Sequence, residues 1–164
     1  MSSNARNMTY TEENFDQLPF KVLSDNGDIV DAPTMVIVRT FPASDGKQQI
    51  GIEPSEISNP GEMSGNVLFV RMSGHHRQIM KIHPRDSYKG VSFWIRSMNN
   101  NYPITVLQLI RGSTVVRTKP VIANSTEKAV FFEVADPGGF DQIALNHSGH
   151  AEHDFQIDHI RLYK

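Results

Sequence analysis

The chain has 164 residues, of which 38% are hydrophobic, and it contains no cysteine. Its length suits one domain with its own hydrophobic core, and the lack of cysteine excludes disulfides, thiolate metal sites and cysteine nucleophiles. With 16 Lys and Arg residues against 18 Asp and Glu residues, the net charge of -2 gives no general attraction to nucleic acid or to an anionic membrane. No segment is long and apolar enough to predict membrane insertion.

The N-terminal residues 1–13 are polar, with only Met8 and Tyr10 as anchors, and they predict a flexible N-terminal arm. A single domain is then expected over residues 14–164. The N-terminus also lacks the apolar segment of a signal peptide. The chain as given therefore fits a cytoplasmic protein, a protein exported without a leader, or a secreted protein whose leader was removed.

After the arm, an apolar run over residues 15–22 leads into a turn at Asn26-Gly27. From there, short β-branched and aromatic segments alternate with turn residues, and neither a sustained helical period nor an internal repeat is evident. The predicted strands span residues 34–41, 48–52, 66–72, 77–83, 90–97, 102–111, 114–119, 128–134, 140–145 and 154–164.

Two connections between these strands have the length and glycine content of hairpins. They are residues 73–76, between the third and fourth strands of that series, and Gly112-Ser113. About ten short strands at intervals of roughly 8 to 12 residues, with turn chemistry between them, predict an all-β fold. The favoured architecture is a two-sheet antiparallel β-sandwich of the jelly-roll type rather than the immunoglobulin type.

The last predicted strand changes its alternation in the middle. Phe155 and Ile157 share one face, whereas Ile160 and Leu162 have the opposite parity. One extra residue must therefore be absorbed near Asp158, which is what a β-bulge does. The bulge would place a carboxylate where spare carbonyl oxygens are available, and such oxygens suit a calcium ion. A solvated Asp on an edge bulge is the alternative.

Four segments carry a resemblance to a known family: ENFDQLP at 13–19, GVSFWIRS at 90–97, FDQIALNHSG at 140–149 and FQIDHIRLY at 155–163. In order and spacing they resemble galactose-binding-like jelly rolls, the fold of many bacterial carbohydrate-binding modules and lectins. The resemblance covers about residues 12–164. It implies a non-catalytic module that binds a carbohydrate or glycoconjugate. It also implies that Asp16 and Asp158 lie together where the first and last strands meet, with a structural calcium ion as a companion.

Four residues are candidate sugar contacts. A sugar presents apolar C–H faces and a ring of hydroxyl groups, so its site needs an exposed aromatic side chain and planar polar groups. Trp94, the only tryptophan, and Arg96 lie on the face of their strand opposite its apolar residues. We expect Trp94, Arg96 and Gln108 to lie on neighbouring or nearly neighbouring strands, with Tyr102 flanking them.

Several alternatives stay open. Trp94 could instead belong to the core or be covered by a loop, and the ligand could bind at the loop edges, at residues 99–102 and 53–62. The same sandwich could serve as a protein interaction or assembly module, including a homo-oligomer. A small hydrolase would need two acids facing each other across a cleft, for which the sequence offers four unpaired residues, Glu53, Glu56, Glu62 and Glu133.

A histidine cluster near the C-terminus raises the question of a transition metal. His147, His150 and His153 could bind zinc, nickel or copper. Their spacing would align them on a helix, but Gly149 and the short distance between two predicted strands favour a turn. The sequence leaves this site undecided.

Overall fold

The structure is a computed structural model that describes residues 9–41, 49–72, 78–99, 104–148 and 153–164. These residues form thirteen β-strands, in chain order: β1 Tyr10–Glu13, β2 Lys21–Leu23, β3 Ile29–Asp31, β4 Met35–Arg39, β5 Gln49–Pro54, β6 Asn66–Met72, β7 Gln78–Pro84, β8 Tyr88–Ser97, β9 Ile104–Arg111, β10 Thr114–Val121, β11 Val130–Phe140, β12 Gln142–Ser148 and β13 His153–Tyr163. The described parts of the chain include no helix long and apolar enough to cross a membrane.

The strands form two antiparallel sheets. A seven-stranded sheet has the order β11-β8-β13-β6-β5-β2, with β1 added beside β13, and a six-stranded sheet has the order β10-β9-β12-β7-β4-β3. The prediction of an all-β, two-sheet antiparallel sandwich is therefore confirmed.

The hydrophobic core lies between the two sheets. Phe93 and Ile157 enter it from the seven-stranded sheet, and Leu107 and Ile143 enter it from the six-stranded sheet. Each of these side chains is at most 1% exposed, and full burial of such a side chain stabilises a fold by about 1.5–3 kcal/mol. Since alternate residues of each strand point inward, the other half of each strand faces outward, and these outer faces are where a ligand could bind.

The start of the sandwich differs from the predicted boundary. Strand β1 pairs with β13, with Tyr10 opposite Tyr163 and Glu13 opposite Ile160. The last four residues of the predicted arm therefore belong to the seven-stranded sheet, and that part of the prediction is wrong. Main-chain pairing with β13 fixes this segment although its sequence is polar.

One predicted hairpin and one predicted pair of neighbouring strands were also wrong. Residues 73–76 were expected to form a hairpin, but β6 pairs with β5 and β13, whereas β7 pairs with β4 and β12 in the other sheet. Likewise β8 and β9 belong to different sheets, so their side chains do not share a face. The hairpin between β9 and β10 through Gly112 is confirmed.

The predicted bulge in the last strand is present. The pairing of β13 with β8 shifts register between Asp158 and Arg161, and His159 adopts a left-handed φ of 50°. The shift lets Phe155 and Ile157 as well as Ile160 and Leu162 enter the core, and all four are fully buried. The change of parity in the sequence is thus absorbed at Asp158, as predicted.

Candidate functional site

The outer face of the seven-stranded sheet carries Trp94 and Arg96. On β8, Phe93 and Ile95 point into the core, so Trp94 and Arg96 face outward. Cross-strand pairing sets Phe131 of β11 opposite Trp94, on the side away from β13. The register therefore brings two aromatic side chains together on one face of the sheet.

Trp94 and Phe131 form an aromatic pair at this surface. Their ring centroids are 5.2 Å apart and the rings are tilted by 54°. Phe131 is 46% exposed, whereas Trp94 is half-buried and packs against an apolar cluster that includes Met63 in the connection between β5 and β6. The loop thus covers part of Trp94, one of the alternatives that the sequence left open, and Phe131 supplies the more open aromatic surface.

Phe131 was missed by the sequence analysis, although a signal for it exists. In the segment KAVFFEV at residues 128–134, Phe132 and Val134 share one parity and Phe131 and Glu133 share the other. The first pair is buried and the second is exposed. Glu133 therefore faces outward on the same strand, two residues from Phe131.

The Arg96 side chain links two loops to the seven-stranded sheet through hydrogen bonds. Its side chain is buried, and Nη1 donates to the main-chain oxygen of Thr126 at 2.7 Å. Nη2 donates to Oε2 of Glu56 and to Oε1 of Gln156, both at 3.0 Å. Because Glu56 and Thr126 lie in two different loops, this guanidinium ties both loops to the sheet. Arg96 was predicted to contact the sugar. In the structure its side chain is instead buried, and it supports the site by holding the two loops.

The polar contacts continue from Gln156 across the sheet. Gln156 Nε2 donates to Oε1 of Glu53 at 3.0 Å, and Arg71 Nη2 donates to Oε2 of the same carboxylate at 2.7 Å. The Arg71 guanidinium also lies 4.4 Å from the centroid of the Phe69 ring. Both oxygens of Glu53 thus have hydrogen-bond partners, which hold this acid in a polar network across the sheet.

A groove of about 790 Å³ lies beside the aromatic pair, where β8 and β11 meet β10 and the end of β13. Gly90, Ala135 and Tyr163 line it and share one face, because a Cβ atom added to Gly90 would lie 3.6 Å from the Cβ atoms of both neighbours. Ser92 and Tyr163 exchange a hydrogen bond between their hydroxyls at 3.0 Å. Glu133 also lines the groove, which places it next to Phe131.

The two other predicted ligand contacts are not part of this face. Gln108 lies on β9 in the six-stranded sheet, and its Oε1 accepts a hydrogen bond from Asn146 Nδ2 at 2.8 Å. The prediction that Gln108 neighbours Trp94 and Arg96 is therefore wrong, because consecutive strands β8 and β9 cross between sheets. Tyr102 lies outside the described residues.

Asp158 and Asp16 come together beneath the loop between β5 and β6. Asp158 is fully buried and accepts main-chain hydrogen bonds from Ser64 at 3.0 Å and from His159 at 2.8 Å. Its pKa is raised to about 7, chiefly by burial and to a smaller extent by the charge of nearby Asp16, against the lowering effect of those hydrogen bonds and of His159. Asp16 itself accepts a hydrogen bond from the main chain of Asn66 at 2.9 Å.

This carboxylate pair meets part of the requirement for a calcium ion. A divalent cation would relieve the repulsion between the two acids and the desolvation of Asp158. Within the described ranges, however, no group of three or more His, Cys, Asp or Glu side chains is arranged to hold a metal. An ion here would have to take its remaining ligands from main-chain carbonyl groups and water.

The histidine cluster does not form a site that can be described. The His147 side chain is buried in β12, while His150 and the side chain of His153 lie outside the described residues.

No protein-family model matches the chain, and no curated protein matches it by sequence. Its fold is similar to a family 29 carbohydrate-binding module from Piromyces equi, with a TM-score of 0.52, 10% identity, and coverage of 88% of this chain and 89% of that chain. A family 11 carbohydrate-binding module from Clostridium thermocellum, in complex with a β-1,3-1,4-mixed-linked tetrasaccharide, overlaps 85% of this chain and 96% of its own, with a TM-score of 0.49 and 13% identity. The low-affinity xylan-binding module CBM86 from Roseburia intestinalis overlaps 95% and 96%, with a TM-score of 0.46 and 12% identity. These structural neighbours are carbohydrate-binding modules with a β-sandwich fold.

Proposed function

We propose that this chain is a non-catalytic carbohydrate-binding module whose site lies on the outer face of the seven-stranded sheet. The observation that carries the proposal is the Phe131–Trp94 pair, an aromatic surface open to solvent on an ordered strand. The apolar face of a sugar ring stacks on such a surface, and a side chain that is already held on a paired strand loses little entropy on binding.

Carboxylates lie on both sides of this aromatic pair along the strands. Glu133 follows Phe131 on β11, and Glu56 is held by Arg96, two residues from Trp94 on β8. A carboxylate accepts hydrogen bonds from neighbouring sugar hydroxyls in pairs, as a bidentate acceptor. The arrangement therefore combines stacking with hydroxyl recognition, the two interactions that a neutral sugar ring needs.

The structural likeness to the Piromyces equi module supports the same function from a different direction. The fold alone does not determine function, so the proposal depends on the surface of this chain. A protein-docking module on the same sandwich is the rival, and it would show no response to sugars.

Screening on a glycan array, followed by titration of each hit, tests the proposal. Phe131→Ala should weaken binding about fivefold to tenfold, because loss of one stacked ring costs on the order of 1 kcal/mol. Phe20→Ala is the matched control, since Phe20 is 67% exposed but precedes β2, at the other edge of the sheet from β11. Absence of binding to any glycan, or equal losses in both variants, would refute the proposed site.

A structural calcium ion at Asp158 and Asp16 is proposed as a companion to this function. It would join the segment before β2 to the bulge of β13 and stabilise the fold by mass action. Added calcium should raise the melting temperature of the chelator-treated protein, and Asp16→Asn should abolish the effect. Identical melting curves with calcium and with chelator would refute the calcium site but would not affect the proposal of a sugar site.

A further inference from the structure

We infer that the groove beside the aromatic pair recognises a negatively charged sugar unit, one that carries a carboxylate or a sulfate group. This inference rests on the proposed carbohydrate-binding function and names the chemical class of its ligand. It starts from the side chains that line the groove, which include four cations, Lys89, Arg117, Lys119 and Lys164, and one anion, Glu133.

Two of these cations have carboxylate partners that reduce their effect. Arg117 Nη2 lies 3.6 Å from Oδ1 of Asp136, and the ammonium group of Lys164 contacts the carboxylate of Asp86. Both cations nevertheless remain about half exposed. Each can therefore turn toward an incoming anion, because surface ion pairs of this kind are weak.

The other two cations have no such partner. Across the described ranges, neither Lys89 nor Lys119 forms an ion pair, and both side chains are exposed. Lys119 Nζ is instead held by the main-chain oxygen of Glu133 at 2.6 Å, at the wall of the groove. The side chains that line the groove thus carry a net positive charge on a chain whose net charge is -2, a pattern that overall composition does not explain.

Arg117 is aimed at the groove by an irregularity in its strand. The pairing of β10 with β9 shifts register between Val115 and Arg117, and such a bulge redirects the side chains that follow it. A guanidinium binds a carboxylate or sulfate group through two parallel hydrogen bonds, whereas the lysines contribute less directional charge. The groove therefore offers both a planar donor and a diffuse positive field to one acidic group.

The groove is also placed so that one sugar chain could reach it and the aromatic pair together. Phe131 and Ala135 face the same side of β11, four residues apart, which corresponds to about 13 Å at the rise of a β-strand. Because Gly90 has no side chain, the groove is deeper at this residue. An extended acidic oligosaccharide would stack on Phe131 and place a charged unit over Gly90.

The test measures how tightly the full chain binds polygalacturonate, which carries only carboxylates, dextran sulfate, which carries only sulfates, and a neutral β-glucan or xylan of similar length. Wild type should prefer at least one acidic polymer, and the preference should fall as salt is raised, because salt screens exposed charges. Lys89→Gln combined with Lys119→Gln should weaken acidic binding about tenfold without changing neutral binding. Lys21→Gln removes one positive charge on β2, at the far edge of the seven-stranded sheet from the groove; as the control it should change neither.

A second pair of variants tests the floor of the groove. Ala135→Glu places a negative charge there and should abolish the acidic preference, while the isosteric Ala135→Gln should retain it. Ala135 is exposed, so both proteins should fold. Preference for the carboxylated or the sulfated polymer tells which acidic group fits.

The outcomes separate this inference from the proposed function. If neutral glycans bind through Phe131 and acidic ones bind no better, the groove inference is wrong and the carbohydrate-binding function stands. If no polymer binds, both are wrong. Equal affinity for an oligonucleotide of the same charge would show a non-specific basic surface and would also overturn the inference.

Discussion

Asp158 should make the stability of the fold fall as the pH rises from about 4 to about 7. The side chain is fully buried at the bulge of β13. Desolvation is the main reason that its pKa is raised from 3.8 to about 7. The hydrogen bonds from Ser64 and His159 compensate only part of that effect.

The sign follows from proton binding in the two states. Between pH 3.8 and about 7 the folded protein holds a proton on Asp158 that the unfolded chain has released, so raising the pH favours unfolding. Below pH 3.8 both states are protonated, and above about 7 both are ionised, so the contribution to the slope vanishes. The difference between the two pKa values corresponds to on the order of 4 kcal/mol of unfolding free energy, at about 1.4 kcal/mol per pH unit.

Urea unfolding of the wild type and of Asp158→Asn, at intervals from pH 4 to pH 8 in the presence of chelator, measures this effect. The Asn side chain cannot ionise, so the difference between the two proteins isolates Asp158 from other titrating groups. At pH 4 the variant should be less stable than the wild type by about 1–3 kcal/mol, because its amide meets a main-chain N–H group. Its stability should nevertheless decline less between pH 4 and 7 than that of the wild type.

Parallel pH profiles for the two proteins in chelator would refute the reasoning. Calcium provides a further test, since a bound cation favours the ionised carboxylate and lowers its pKa. With saturating calcium, the wild-type stability should therefore stop falling between pH 4 and 7, whereas the Asn variant should show no response to calcium.

Two further predictions concern the loop over the sheet. Gly65 and Gly112 share a φ of 62°, but only at Gly65 would a Cβ atom meet a neighbour, at 2.1 Å from Oδ1 of Asp16. Gly112→Ala should therefore lower the free energy of unfolding by about 1 kcal/mol, and Gly65→Ala should lower it clearly more. The urea midpoint measures both effects. Arg96→Met should destabilise the fold by about 3 kcal/mol and speed proteolysis in the two loops that Arg96 holds, because it removes three charge-assisted hydrogen bonds, one buried and two partly buried. The ion pair of the half-exposed Arg117 with Asp136 is the control, and Arg117→Met should cost at most about 1 kcal/mol.

Much of the sandwich could be predicted because its signals are local. Alternation of apolar residues located the strand around Phe93, and the change of parity between Ile157 and Ile160 located the bulge. These features depend on residues a few positions apart, so a single sequence contains them. The short strand β1 was missed because its sequence is polar and its order comes from pairing with β13, which is distant in sequence.

The site could be predicted only in part, for a related reason. Parity correctly placed Trp94 on the face opposite Phe93, but it carries no information about which sheet receives the next strand, so Gln108 was assigned to the wrong surface. The two loops that hydrogen-bond to Arg96 are a second nonlocal feature. Their bonding residues are Glu56, which is 40 positions from Arg96 in sequence, and Thr126, which is 30 positions away. Phe131, by contrast, was within reach of the parity argument.

Titration of a glycan hit while following the emission of Trp94 tests the central claim most directly. Trp94 is the only tryptophan, and its ring centroid lies 5.2 Å from that of Phe131, so a sugar stacked at this surface must change its surroundings. We expect a saturable change in emission that is lost in Phe131→Ala and retained in Phe20→Ala, with the near-UV spectrum of each variant confirming that it is folded. A glycan that binds with no change in Trp94 emission, or equally well to both variants, would contradict a carbohydrate site on this face of the sheet.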